Sequence, residues 1–166
     1  MTELAFLKAF LAWENFLEET FVLYLVGRKP PGAPAPTRYA FPPSYAVASE
    51  WVVPEGRHYA SWTVAADVSR RAERFFRQGR PFSTTLRANQ NALDEARILR
   101  NAIAHSSAST QQKFENLVRQ KLGSLPANLN VGAFLGRTVP RSSPPQSFFD
   151  FYVDRIEMCA TQLVPV

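Results

Sequence analysis

The amino-terminal residues 3–26 carry apolar side chains at the three- and four-residue spacing that is typical of an amphipathic helix. The repeating positions are Leu4, Leu7, Leu11, Phe21 and Leu25. Gly27 follows directly, and glycine commonly ends a helix. Glu14 and Glu18 lie four residues apart and share a face with these apolar positions. A carboxylate on such a face is costly unless a polar partner meets it.

The same periodicity predicts further helices and no strand of useful length. They span residues 61–78, residues 83–105, a segment from an N-cap at Ser109 to a stop at Gly123, and roughly residues 146–164. Between them lie a proline-rich insertion at residues 28–60 and a loop at residues 124–145, both too irregular in composition for a long helix. The pattern therefore predicts one all-α domain over residues 1–166, a bundle of four to five helices with long connections.

The third predicted helix ends in "ILRNAIAHSS", where apolar residues give way to Arg100, Asn101 and His105. On an ideal helix Asn101 and His105 lie about 40° apart, and Arg97 lines up with Asn101 one turn earlier. An imidazole can gain and lose a proton near neutral pH, and a guanidinium can hold a phosphate through two hydrogen bonds. This set suits phosphodiester cleavage. The alternative is structural, since a histidine at a helix end commonly caps the last carbonyl groups.

The chain is basic, with a formal net charge of +5 and a sequence pI of about 9.7. Such a charge favours anionic partners, and it is also ordinary for a soluble protein. Arg70, Arg74 and Arg77 recur at helical spacing, either as a phosphate-binding stripe or as a solvated face. The proline-rich insertion mixes basic and aromatic residues. It suits a nucleic-acid strand, or a loop whose aromatic side chains are held in the core.

The composition limits the classes of protein and of binding site that this chain can represent. Hydrophobic residues form 46% of the chain and charged residues 20%, as in a folded soluble protein. Cys159 is the single cysteine, so no disulfide can form within one chain, which fits a reducing cytoplasm. Two histidines and scattered carboxylates give no metal-ligand spacing, and we expect no metal or cofactor. Charges interrupt the apolar amino terminus, so we expect neither a membrane span nor a secretory signal.

The segment "RNAIAH" matches the R-N-x-x-x-H signature of the HEPN superfamily of α-helical ribonucleases and nucleotide-associated proteins. Three flanking segments resemble the RiboL-PSP-HEPN branch of that superfamily: "FLAWENFLEE", "RRAERFFRQGRPF" and "IAHSSASTQQKFENLV". The resemblance runs over most of residues 4–122. It implies an up-and-down helical bundle that forms a homodimer, with two arginine–histidine pairs facing each other across the interface.

The resemblance also implies an activity. HEPN ribonucleases cleave RNA without a metal and leave a 2′,3′-cyclic phosphate and a 5′-hydroxyl, commonly as toxins of toxin–antitoxin or anti-phage systems. An antitoxin or defence protein would then be a partner. The residues carried over are Arg100 and His105 as catalytic, Asn101 as shaping the site, and Glu14, or failing it Glu18, as the acidic residue of the first helix.

The predicted RNA-binding residues are Arg70, Arg74, Arg77 and Arg97. Some HEPN toxins carry a modifiable tyrosine two residues after the histidine, whereas this chain has Ser107 there. The alternative function is a module that binds RNA, nucleotide or a partner protein and dimerises, without turnover.

Overall fold

Helices form the regular secondary structure of residues 1–165, the part of the chain that the computed structural model describes. They are α1 Thr2–Leu25, α2 Tyr45–Trp51, α3 Ala65–Phe75, α4 Phe82–Ala88, α5 Gln90–Ala104, α6 Ala108–Leu122, α7 Val131–Leu135 and α8 Phe148–Leu163, with a 3-10 turn at Arg77–Gly79. In these residues β pairing is confined to isolated bridges. The all-α prediction is confirmed, but the predicted count of four to five helices is wrong.

Two of the additional helices lie inside the segments predicted as connections. The α2 helix begins after Ser44, whose side-chain oxygen accepts a hydrogen bond from the Val47 amide at 3.3 Å. The α7 helix begins after Asn130, whose side chain accepts from the Ala133 amide at 2.7 Å. Side-chain N-caps of this kind stabilise a first turn locally, so even a helix of five or seven residues can form between proline-rich stretches.

The helix predicted over residues 83–105 is divided at Asn89 into α4 and α5. Asn89 is buried, and its backbone leaves the helical region with φ −114° and ψ 11°. Its side-chain amide donates to the Thr85 carbonyl at 2.9 Å. Such a local bond competes with the helical hydrogen-bond ladder, which explains the break within an otherwise helical pattern.

The helix predicted over residues 61–78 is shorter than expected, because α3 ends at Phe75. Phe76 is extended, and Gln78 has a positive φ of 57°. The extended backbone pairs with the proline-rich insertion: the Arg77 amide donates to Thr37 at 2.9 Å, and the Tyr39 amide donates to Phe75 at 2.8 Å. Pairing with the insertion thus replaces the last helical turn.

The proline-rich insertion is held in place by backbone hydrogen bonds and by one arginine side chain. Arg38 donates to the Leu25 carbonyl at 2.8 Å and lies against Gly27, where a β-carbon would come within 2.8 Å of the guanidinium. The aromatic side chains Tyr39, Phe41 and Tyr45 are 60%, 68% and 46% exposed. Of the two alternatives for this insertion, the one in which these three rings are held in the core is therefore wrong.

The chain divides into two compact units, each with an aromatic core. Unit 1 comprises Met1–Ala12 and Asn91–Ile156, and unit 2 comprises Trp13–Gln90 and the chain from Glu157 onward. In unit 1, Phe134 stacks on Phe148 with ring centroids 4.4 Å apart. In unit 2, Phe21 lies 4.8 Å from Phe82 and 5.0 Å from Phe76. Each core is built from rings contributed by several helices.

The buried side of α1 differs from the predicted stripe. The buried residues are Phe6, Phe10, Trp13, Leu17, Thr20, Phe21, Val22, Tyr24 and Leu25. Leu4 and Leu11, both predicted as buried, are 58% and 41% exposed. The first half of this helix is apolar on most sides, so periodicity alone does not fix which side packs. Among residues 1–165, no helix combines the length and the hydropathy that crossing a membrane requires.

Candidate functional site

The α5 helix is fixed in unit 1 by apolar packing and by one charged cluster. Its buried row is Leu93, Ala96 and Leu99. On another side, Glu95 forms an ion pair with Lys121 of α6, with 2.7 Å between Nζ and Oε1. Its second carboxylate oxygen accepts a hydrogen bond from the buried Tyr152 hydroxyl of α8 at 3.0 Å. Both oxygens of Glu95 are thus satisfied by neighbouring helices, which hold α5 in place.

Arg100 and Asn101 form a contact near the carboxyl end of this helix. Both side chains are half-buried, and Arg100 Nη1 donates to Asn101 Oδ1 at 3.2 Å. The amide oxygen thereby restricts the orientation of the guanidinium plane. One turn earlier, Arg97 Nη2 lies 3.4 Å from Asp94 Oδ1, so a carboxylate on the same helix offsets part of its charge.

His105 stands at the end of α5 with its backbone held and its ring in solvent. Its amide donates to the Asn101 carbonyl at 2.9 Å, the last helical bond, and its carbonyl accepts from the Thr110 hydroxyl at 2.8 Å. The residue is exposed. Contrary to the prediction of a cap at Ser109, α6 is capped by Ser107, which accepts from the Thr110 amide at 3.2 Å. This early cap keeps the link between α5 and α6 short.

The end of α5 therefore presents two complementary groups. An exposed imidazole can exchange protons with a substrate near neutral pH. A guanidinium offers a planar fork of N–H donors that matches phosphate oxygens. Arg100 and His105 are five residues apart, roughly 7.5 Å along a helix axis. On an ideal helix the two residues also lie about 140° apart around the axis, and His105 is exposed one residue past the end of α5. Joint contact with one phosphodiester therefore requires the His105 side chain to turn toward Arg100.

The predicted acidic residues lie on the part of α1 that belongs to unit 2. Glu14 is half-buried, and its carboxylate accepts a hydrogen bond from the Thr63 hydroxyl. The carboxylate expected on an apolar face thus has the polar partner that such a position requires. Glu18 is exposed. Because α5 beyond Gln90 belongs to unit 1, the prediction that Glu14 faces Arg100 stays a prediction.

The predicted arginine stripe is not a single helix face. Arg70 and Arg74 are exposed on α3, whereas Arg77 lies beyond its end in the 3-10 turn. Arg70 and Arg74 line one cavity of unit 2, while Arg77 lines a different cavity together with Arg80. The stripe prediction is wrong because α3 ends too early to carry all three residues, and their role in binding RNA stays a prediction.

The sequence reasoning missed Arg71 and Arg57, which line the same cavity as Arg70 and Arg74. Arg71 is buried on α3, three residues after Val68 and four before Phe75. The available signal was its position in an apolar row of the helix, where a charged residue is rare unless it is paired. We call the cavity lined by these four arginines the arginine pocket.

Within residues 1–165, no group of three or more histidine, cysteine, aspartate or glutamate side chains is arranged to hold a metal ion. No family model, no curated protein and no solved structure matches this chain. The candidate site therefore rests on its own residues and on the resemblance of its motif.

Proposed function

We propose that this protein is a HEPN-like endoribonuclease that cleaves RNA without a metal, with its catalytic residues at the end of α5. The observation that supports the proposal most directly is the arrangement there. The exposed His105 has hydrogen bonds at both its backbone amide and its carbonyl. It lies five residues after Arg100, whose guanidinium donates a hydrogen bond to Asn101. The R-N-x-x-x-H motif supports the same assignment.

In the proposed reaction the 2′-oxygen of RNA attacks the adjacent phosphorus while the bond from phosphorus to the 5′-oxygen breaks. The products are a 2′,3′-cyclic phosphate and a 5′-hydroxyl. His105 is the proton-transfer group for the attacking or the leaving oxygen. Arg100 binds a non-bridging oxygen and stabilises the negative charge that grows on the phosphoryl group. Asn101 positions Arg100.

The proposed working unit is a symmetric homodimer. A single helix end is open to water, where a guanidinium–phosphate contact is weak, and two such ends related by a two-fold axis would form a narrower and more positive cleft. Exposed leucines of unit 1 support such a contact, since Leu4 and Leu11 are apolar and 58% and 41% exposed. We further propose a cytoplasmic toxin or anti-phage effector, with an antitoxin or defence protein as its partner.

The test is purified protein incubated with total RNA and with short oligoribonucleotides in the presence of EDTA. We expect cleavage, with cyclic phosphate and 5′-hydroxyl ends at the mapped cuts. A product with a 3′-hydroxyl would overturn the mechanism, because attack by the 2′-oxygen does not give that end. RNA bound but left intact under all conditions would favour the alternative, a dimerising module without turnover.

A further inference from the structure

The arginine pocket in unit 2 gathers positive charge around a cavity of about 560 Å³. Four arginines line it, Arg57, Arg70, Arg71 and Arg74, beside a single carboxylate, Asp67. That carboxylate already forms an ion pair with Arg70. The remaining guanidinium groups give the cavity a positive character, and a cavity lined by one sign of charge attracts ions of the other.

Arg71 is the buried member of the set, with only 8% of its surface exposed. Its Nη2 donates to the Ser61 carbonyl at 3.1 Å, and its guanidinium carbon lies 4.5 Å from the centre of the Trp62 ring. Its Nη1 is buried and has no hydrogen-bond partner among residues 1–165. A desolvated donor without an acceptor is costly, more so when it carries charge.

The neighbouring charges do not offset the cost of burying the Arg71 guanidinium with one donor unsatisfied by the described residues. Burial lowers its pKa, the carboxylates of Asp67 and Glu18 raise it, and the neighbouring Arg74 lowers it. Of the two acidic groups, Asp67 is engaged by Arg70 and Glu18 is exposed to solvent. The cavity therefore combines a buried donor with a local excess of guanidinium charge.

We propose that the arginine pocket binds a phosphate group, carried by a nucleotide or by the backbone of RNA. A phosphate offers several acceptor oxygens to the planar donor forks of the exposed Arg57, Arg70 and Arg74, and the buried Arg71 adds its positive charge to the same cavity. The cavity is large enough for a ligand of nucleotide size. Tyr59, 72% exposed at its rim, provides a ring on which a base can stack. The proposal concerns binding alone and does not rest on cleavage at α5.

The experiment measures binding of three probes to the full chain by calorimetry at constant ionic strength: inorganic phosphate, adenosine monophosphate and a hexamer of single-stranded RNA. The hexamer carries 2′-O-methyl groups, which remove the nucleophile and prevent cleavage. We expect at least one probe to bind, and the probe that binds most tightly identifies the source of the phosphate. Absence of binding by all three at millimolar concentration would overturn the proposal.

Paired variants test whether the binding belongs to this pocket. The double variant Arg57→Gln, Arg74→Gln removes two exposed arginines of the pocket, and Arg80→Gln, Arg137→Gln removes the same charge from exposed positions that do not line it. We expect at least a tenfold loss of affinity in the first and less than a twofold loss in the second. Equal losses would overturn the proposal, because binding would then follow net charge.

Arg71→Lys supplies an independent readout. Lysine keeps the charge but lacks the planar fork, so we expect weaker phosphate binding without a change in the net charge. Since this position is buried, the variant is first checked for an unchanged circular dichroism spectrum. If it does not fold, the two exposed double variants decide the question alone.

Discussion

Glu95 in unit 1 and Arg71 in unit 2 are both charged side chains largely removed from water. They differ in how completely neighbouring residues satisfy their hydrogen-bonding groups. The Glu95 side chain is 13% exposed, and both of its oxygens are bound, one by Lys121 and one by Tyr152. Arg71 is 8% exposed and has a carbonyl, a ring face and one unsatisfied nitrogen among the described residues. A buried charge whose hydrogen bonds are satisfied within the protein stabilises the packing of its helices, whereas a partly unsatisfied one leaves a desolvation cost that the protein itself does not offset.

The position of α5 is fixed by the hydrogen bonds of Glu95 and not by the exposed side chains at the end of the helix. Because Glu95 ties α5 to α6 and α8, the end of the helix does not depend on its own exposed side chains for its position. An exposed residue there can be replaced at little cost in stability. Removing a residue of the satisfied cluster, in contrast, should be costly. Variants at the exposed end of α5 and variants in the Glu95 cluster therefore separate the effect on catalysis from the effect on stability.

The largest expected effect is on activity and comes from His105→Ala. Loss of the proton-transfer group should lower the rate of RNA cleavage by about 10²–10⁴-fold. The free energy of unfolding should change by less than about 1 kcal/mol, because the ring is exposed and the backbone bonds remain. Single-turnover cleavage and urea unfolding measure the two quantities on the same preparation.

His58→Ala is the matched control, since His58 is the other histidine of the chain and is also exposed. It should leave both rate and stability unchanged. A loss of stability in His105→Ala comparable to that of a buried-cluster variant would show that the end of α5 is structural, and the contrast with the Glu95 cluster would fail.

The next largest effect is on stability and comes from Tyr152→Phe. The variant removes the hydroxyl that donates to Glu95, and a hydrogen bond to a charged group contributes about 1.5–3 kcal/mol. We expect a loss of that order in the free energy of unfolding at pH 7, measured by urea titration. Tyr39→Phe, at a residue 60% exposed, should have no effect and serves as the control.

Tyr152→Phe should also change how the free energy of unfolding depends on pH in the alkaline range. Burial, then the charge of Glu95 and the hydrogen bond to it, raise the pKa of Tyr152 above its ordinary value of 10.0. Above about pH 10 the unfolded chain releases this proton while the folded chain keeps it, so the stability that Tyr152 contributes is complete below pH 10 and is lost as pH rises above it. The parent should therefore lose more stability than Tyr152→Phe between pH 9 and pH 11. Parallel slopes would contradict this assignment.

The sequence predicted well those elements whose ends are set by local signals. Helices α1 and α8 lie within about two residues of their predicted bounds, and α6 ends at Leu122, directly before Gly123, which adopts the expected left-handed conformation with φ 76°. The candidate motif was also located correctly at the end of a helix. In each case the residues that define the end are neighbours in sequence.

The errors have two sources: local side-chain hydrogen bonds that the apolar pattern does not reveal, and contacts between residues that are distant in sequence. Asn89 interrupts a continuous helical pattern through its bond to Thr85, and pairing with the proline-rich insertion ends α3 before Arg77. The arginine pocket could not be assembled from spacing, because Arg57 comes from the connection before α3 and Arg71 takes its partners from Ser61 and Trp62. Tertiary packing determines these contacts, and periodicity carries no information on them.

The smallest expected effect comes from Thr110→Val and tests how firmly the end of α5 is held. The Thr110 hydroxyl lies 2.8 Å from the carbonyl oxygens of both His105 and Ser107, and valine keeps the shape of the side chain without this donor. We expect a loss of about 1 kcal/mol in the free energy of unfolding. Thr110 is a positioning residue in the proposed reaction, so a similar loss in the transition state would lower kcat roughly fivefold and leave KM unchanged.

Thr110→Ser should restore the rate, because serine keeps the hydroxyl. Thr161→Val, which removes a hydroxyl bonded to the Glu157 carbonyl in α8, should not change kcat. An unchanged kcat in Thr110→Val would mean that His105 does not depend on this bond, and that the Glu95 cluster and the helical bond from Asn101 suffice to fix the end of α5.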